Sequence, residues 1–98
     1  MTENDPAALP ETALITGAAH RIGRAMALDL ADAGWRVAVH YNGSRTAAEA
    51  LVAEITAKGG RAAAVRADLA DEDATGNLIP AAIAALGPVT LLVNNASL

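Results

Sequence analysis

Cysteine is absent from this sequence, which excludes disulfides, thiolate metal sites and thiol nucleophiles. The histidines, His20 and His40, lack the local spacing of a metal-binding pair, so no metal is expected. Phenylalanine is also missing, and Trp35 and Tyr41 are the only aromatic residues. With so much of the apolar content supplied by alanine, few side chains bury large areas, and marginal stability of the chain alone is expected. No apolar run approaches the roughly 18 to 20 residues needed to cross a bilayer, and residues 1–10 are acidic and contain proline, unlike a signal peptide. A cytoplasmic location without membrane attachment is therefore expected. Seven basic residues against eleven acidic ones give a net charge of -4 with no basic stripe, which speaks against nucleic acid as a partner.

What is present fits a globular domain: 98 residues, 53% apolar and 18% charged. A flexible leader over 1–11 is expected, and then a single domain over 12–98. Ala13, Leu14 and Ile15 mark a first strand at 12–16, followed by a helix from Arg21 to Ala33 whose apolar stripe is Ile22, Met26 and Leu30 with Ala25 and Ala33 beside it. Gly34 stops that helix. A β-branched run over Arg36–Tyr41 predicts the second strand. Thr46 with Glu49 predicts a capping box opening a helix to Lys58, buried along Ala47, Leu51 and Ile55. Arg61–Ala67 is a third strand, and Asp71 or Asp73 begins a helical segment to Leu86 that Gly76 and Pro80 should bend or split. Val89–Val93 is the last strand.

The order β-α-β-α-β-α-β, with helical crossovers and continuously apolar strands, predicts an α/β fold with a parallel sheet. Right-handed crossovers then give the first half of a Rossmann-type, doubly wound sheet with strand order 3-2-1-4. Its ligand crevice lies where the winding reverses, at the carboxyl ends of strands 1 and 4, beside Gly17 and Asn95.

At that crevice the sequence reads Thr16-Gly17-Ala18-Ala19-His20-Arg21-Ile22-Gly23-Arg24, a small-residue turn running from a strand into a helix. Such a turn brings unpaired backbone donors and the positive end of a helix dipole to one place, which favours a pyrophosphate. Glycines also end strands for purely structural reasons, so the context of the strand, the helix and the other strand ends is what points to nucleotide binding. Gly17, Arg21, Ile22 and Gly23 are the candidate residues of this turn. His20 lies beside them and is equally well read as a solvated turn residue.

The Thr16-Gly17 to Gly23 turn, Ala67-Asp68-Leu69 and Asn94-Asn95-Ala96 together resemble the short-chain dehydrogenase/reductase family, in spacing and order, across essentially the whole chain. Two departures, Arg21 where most members carry a middle glycine and Ser97 where the last motif has glycine, resemble the pteridine reductase branch, as does His40-Tyr41. The resemblance implies that Arg21 approaches both the cofactor pyrophosphate and a pterin, that Asp68 and Leu69 clamp the adenine, and that the backbone of Asn95, Ala96 and Ser97 runs beneath the nucleotide with Ser97 facing the substrate. Asn94 would tie strands together. The physics of Arg21 agrees, since a guanidinium at a helix N-terminus is unfavourable unless an anion sits there; the other reading is a surface arginine with its stem packed on the sheet edge. Asp68 alternatively caps the following turn.

Cofactor choice depends on the end of strand 2, where a carboxylate would hold the ribose of NAD and repel a 2'-phosphate. His40, Tyr41, Asn42, Ser44 and Arg45 stand there, and no carboxylate follows until Glu49. NADP(H) is therefore expected, with Ser44 donating and Arg45 or Arg21 supplying charge; Arg45 alternatively opens the helix into solvent.

Family members reduce C=O or C=N bonds with hydride from the nicotinamide and a proton from a Tyr-x-x-x-Lys tyrosine. Tyr41 is followed four residues on by Arg45, so no catalytic residue is expected in this chain. The expectation is the amino-terminal part of a reductase acting on a small molecule, completed by a carboxyl-terminal remainder and, by resemblance, tetrameric when complete. A 3-oxoacyl-carrier-protein or general carbonyl reductase is the alternative to the pterin enzyme. A non-catalytic nucleotide-binding module, or a truncated product without function, is the alternative of another class.

Overall fold

A computed structural model of the chain describes residues 11–95. The leader short of Glu11, and the candidates Ala96 and Ser97, lie outside the described residues. The elements are β1 (Thr12–Ile15), α1 (Arg21–Asp32), β2 (Arg36–Tyr41), α2 (Arg45–Ala57), β3 (Ala62–Arg66), α3 (Glu72–Gly76), α4 (Leu78–Leu86) and β4 (Val89–Val93). All strand pairs are parallel and the sheet order is β3-β2-β1-β4, the expected doubly wound order.

The alternation of the central strands divides the core in two. Ile15, Val37, Val39 and Tyr41 pack under α1 and α2 against Ala27, Ala48, Leu51 and Ile55. Leu14 and Ala38 face the other way, toward Leu78, Ala82 and Leu86 of α4. Every residue of β1 is buried, as a central parallel strand covered on both faces requires. Its one polar side chain, Thr12, donates to the Leu86 carbonyl at 3.2 Å and accepts from Arg36 Nε at 3.1 Å, so its hydroxyl is buried without being orphaned. On β4, by contrast, Leu92 is exposed.

Three local expectations change. The buried stripe of α1 is Gly23 and Ala27, with Met26 and Leu30 partly covered, while Ile22, Ala25 and Ala33 are exposed. The smallest side chains, Gly23 and Ala27, let the axis sit against the sheet, with Met26 and Leu30 at the margin of the buried face. A Cβ at Gly23 would lie 2.5 Å from the Gly17 carbonyl oxygen, and that closeness selects the buried face. Second, α2 opens at Arg45 with Ser44 as its N-cap and no side-chain capping bond. Glu49 pairs instead with Arg45 at 3.0 Å, so the anticipated capping box does not form. Third, the helical segment after Asp71 splits at Asn77, next to Gly76 as expected, but not at Pro80. Pro80 falls in the first turn of α4, where its missing N–H would have had no intrahelical acceptor, and causes no break.

Capping elsewhere follows expectation. Gly34, at φ 99, ends α1, with its N–H on the Ala31 carbonyl and that of Trp35 on Leu30. The Asp71 carboxylate accepts from the amides of Asp73 and Ala74 at the start of α3.

The register brings the strand ends together. Ile15 is opposite both Val39 and Val93, and His40 is opposite Val65. The segments leaving β1, β2, β3 and β4 therefore emerge at one edge of the sheet, where the winding reverses.

Candidate nucleotide-binding site

At that edge lies a cleft of about 540 Å³, lined by Gly17, Ala19, His20, Arg21, Ile22, His40, Tyr41, Asn42, Gly43, Ser44, Asp68, Leu69 and Asn95. Each strand contributes a wall. The turn after β1 forms the floor, residues 40–44 one flank, Asp68 and Leu69 the adjacent flank, and Asn95 the side toward β4.

The floor is held by its neighbours more than by itself. Gly17, at φ 62, donates its N–H to His40 Nδ1 at 2.9 Å, and Ala18 donates its own to the His40 carbonyl at 3.1 Å. From the other side, Asn95 Nδ2 donates to the Gly17 carbonyl at 3.2 Å, while the Asn95 amide donates to Thr16 Oγ1 at 2.8 Å. The Thr16 hydroxyl also reaches Asn94 Oδ1 at 3.2 Å. Asn94 thus ties β4 to the turn, as the resemblance implied, and Asn95 does so as well.

The first amides of α1, at Ile22 and Gly23, have no carbonyl one turn back to accept from them and sit at the positive end of the helix. Arg21 stands beside them at φ 53, a left-handed conformation that no other non-glycine adopts among the described residues. Arg21 lines the cleft, in the one region where a cation at a helix start needs an anion opposite it. Ile22 is 70% exposed and gives the cleft an apolar patch next to this cation.

Across the cleft mouth, His20 Nε2 lies 2.8 Å from Ser44 Oγ, closing the gap between the turn and the loop after β2. His20, Ala19 and Gly43 line the cleft without having been singled out as site residues. Only the place of His20 in the turn was visible, because its partner lies 24 positions along the chain. Gly23 is beneath the cleft and not on its wall; its place is the close approach to Gly17 and Asn95. Arg45 is off the wall too, exposed on α2 with Nε 3.0 Å from Glu49 Oε2. The hydrogen bond that Arg45 donates to the Glu49 carboxylate raises the guanidinium above its ordinary value.

His40 is 2% exposed and both ring nitrogens are engaged, Nε2 lying 2.8 Å from the Ala67 carbonyl. Asp68 accepts from the Ala70 amide at 3.0 Å through one carboxylate oxygen, so the turn-capping role and a free second oxygen coexist. No carboxylate lines the flank formed by residues 40–44. Among the described residues no group of acidic, histidine or cysteine side chains is arranged to hold a metal, and no helix is long and apolar enough to cross a membrane.

The sequence and fold are similar to those of known proteins. The chain is 44% identical over 90 residues to a Staphylococcus aureus 3-oxoacyl-acyl-carrier-protein reductase, covering 92% of this chain and 37% of the reductase. It is 45% identical over 93 residues to an L-rhamnose 1-dehydrogenase of Azotobacter vinelandii, covering 92% and 36%. Among solved structures, the FolM alternative dihydrofolate reductase 1 of Brucella canis complexed with NADP superposes with a TM-score of 0.85 at 45% identity, over 89% of this chain and 34% of that one. The chain thus spans little more than a third of the length of these relatives. The short chain dehydrogenase family model matches residues 11–98. The chain belongs to the short chain dehydrogenase family, and its strand order is that of the doubly wound sheet.

Proposed function

We propose that this chain forms the NADP(H)-holding part of a reductase that transfers hydride to a C=N or C=O group of a small molecule. The observation that carries the reading is the turn from Gly17 to Gly23, with a cation in a left-handed conformation beside unpaired helix-start amides. The residues fit the dinucleotide: the amide of Ile22 and the Arg21 guanidinium for the pyrophosphate, Asp68 and Leu69 for the adenine, and Asn95 beneath the nucleotide. The flank without a carboxylate, with Ser44 and His20 at its mouth, suits a 2'-phosphate, and Arg45 is near enough in sequence to add charge if it leaves Glu49. NADP in the Brucella canis relative supports the same choice. When bound, the nicotinamide supplies the hydride.

Within this reading, a pteridine reductase-like substrate is favoured by Arg21 in the turn and by the likeness to an alternative dihydrofolate reductase. A 3-oxoacyl or general carbonyl substrate is favoured by the Staphylococcus relative. Either reaction needs a proton donor, and the sequence has one tyrosine, Tyr41, with Arg45 and not lysine four residues on. In this reading a carboxyl-terminal remainder supplies the donor, and the enzyme is an oligomer acting on a small molecule in the cytoplasm. The test is NADPH against NADH titration of the native-length protein, followed by NADPH oxidation with a dihydropteridine and with a 3-oxoacyl thioester. Tighter NADPH binding and turnover of the dihydropteridine are expected. Equal use of NADH overturns the cofactor reading, turnover of the thioester alone selects the second substrate, and binding without any turnover leaves a nucleotide-binding module.

A further inference from the structure

Two walls of the cleft, the phosphate turn after β1 and the adenine flank after β3, come from strands that do not touch each other; β2 lies between them. One side chain at the end of β2 reaches both. His40 accepts the Gly17 N–H at Nδ1, 2.9 Å away, and its Nε2 lies 2.8 Å from the carbonyl of Ala67, the residue immediately before Asp68. Because Gly17 is a donor and the Ala67 carbonyl an acceptor, the neutral ring must carry its proton on Nε2. The opposite tautomer would set two donors against each other at Gly17 and two acceptors at Ala67.

We infer that His40 is a positioning residue for the dinucleotide, holding the phosphate turn and the adenine flank at a fixed separation through its Nε2–H tautomer. The inference rests on the nucleotide-binding reading above. The ring does not meet the cofactor directly: it is 2% exposed and both nitrogens are engaged by protein. Its effect passes through Gly17. That residue's N–H is on the His40 ring, its carbonyl on Asn95, and the next amide on the His40 carbonyl, so the two peptides flanking Gly17, from which the turn departs, are held at three points between them. The direction in which the later amides of the turn point follows from that peptide. Deleting the acceptor at Nδ1 frees the Gly17 N–H to seek another partner and turns the Thr16–Gly17 peptide.

The two contacts can be separated by substitution. In His40→Asn the amide oxygen falls near the place of Nδ1 and can still accept from Gly17, whereas the contact to Ala67 is lost. In His40→Gln the longer side chain can donate to Ala67 but offers Gly17 no acceptor there. Calorimetric NADPH titration of the native-length protein should give His40→Asn within about threefold of wild type and His40→Gln weaker by about tenfold or more, with similar melting temperatures for the two variants. Amide exchange at Gly17 should stay slow in His40→Asn and become fast in His40→Gln, and the ¹⁵N spectrum of the wild-type ring should show Nε2 protonated and Nδ1 as the acceptor. Affinity that follows melting temperature in place of the retained contact, or a ring protonated at Nδ1, overturns the inference. Absence of NADPH binding by wild type overturns the functional reading and with it the role in affinity, while the exchange and ring spectra still decide whether the brace exists.

Discussion

Arg21→Gly should make the protein more stable and worse at binding. Arg21 has φ 53, and an L-residue held there costs roughly 1–2 kcal/mol relative to right-handed backbone. Glycine removes that strain but adds about 0.4–1 kcal/mol of unfolded-chain freedom, leaving a net gain of roughly 0.5–1 kcal/mol. For a chain of this length that is a rise in Tm of about 2–6 °C. The exposed side chain makes no hydrogen bond or ion pair with the described residues to offset the gain. The same substitution deletes the charge of a residue that lines the cleft, and a charge-assisted hydrogen bond to an anion is worth about 1.5–3 kcal/mol, so NADPH affinity should fall roughly 10- to 150-fold. Arg21→Ala separates the two effects, since it keeps the strained backbone and loses the charge: affinity should fall as far, with no gain in Tm. Thermal melts with and without NADPH, together with calorimetric titration, read both quantities. A lower Tm for the glycine variant refutes the strain argument, and unchanged NADPH affinity in both variants refutes the placing of an anion at Arg21.

Gly23→Ala would put a Cβ 2.5 Å from the Gly17 oxygen and 2.6 Å from Asn95 Nδ2, so α1 must move off the turn; a loss of about 1–3 kcal/mol is expected in chemical denaturation, together with weaker NADPH binding. An unchanged denaturation midpoint would show that the turn yields freely. Glu49→Gln releases the Arg45 guanidinium from its ion pair and should strengthen NADPH over NADH binding by about twofold, as one exposed charge does; no change in the NADPH to NADH ratio removes Arg45 from the 2'-phosphate site. Asp71→Ala removes the acceptor for two helix-start amides and should cost about 0.5–1 kcal/mol, visible as a lower Tm with NADPH affinity intact.

The strands, their order and the crevice were legible because each depends on local pattern. Apolar runs between glycine-marked turns leave few ways to wind a parallel sheet. The face of α1 was not, because periodicity weights large side chains, and here Gly23 and Ala27 are buried while Ile22 faces the cleft. Small residues make the closest helix-to-sheet contact, and an apolar residue beside a ligand cleft has reason to be exposed. The Thr46–Glu49 box failed for a similar reason: an arginine four residues before Glu49 competes for the same carboxylate. Asp68, Leu69, Asn42 and Ser44 were placed at the cleft from motif and topology together, and they line it. The role of the His40 ring and the His20–Ser44 contact were not readable, since both join residues more than 20 positions apart through side-chain geometry that no spacing encodes.

The grip on Gly17 from both flanking strands has a consequence for engineering. The conformation of residues 16–23 is set by side chains at positions 40 and 95 as much as by its own glycines. A nucleotide loop exchanged between scaffolds as one continuous segment would arrive without the partners that shape it. The smallest portable unit is discontinuous: the turn, the last two residues of β2 and the asparagines after β4, held in register by a parallel sheet.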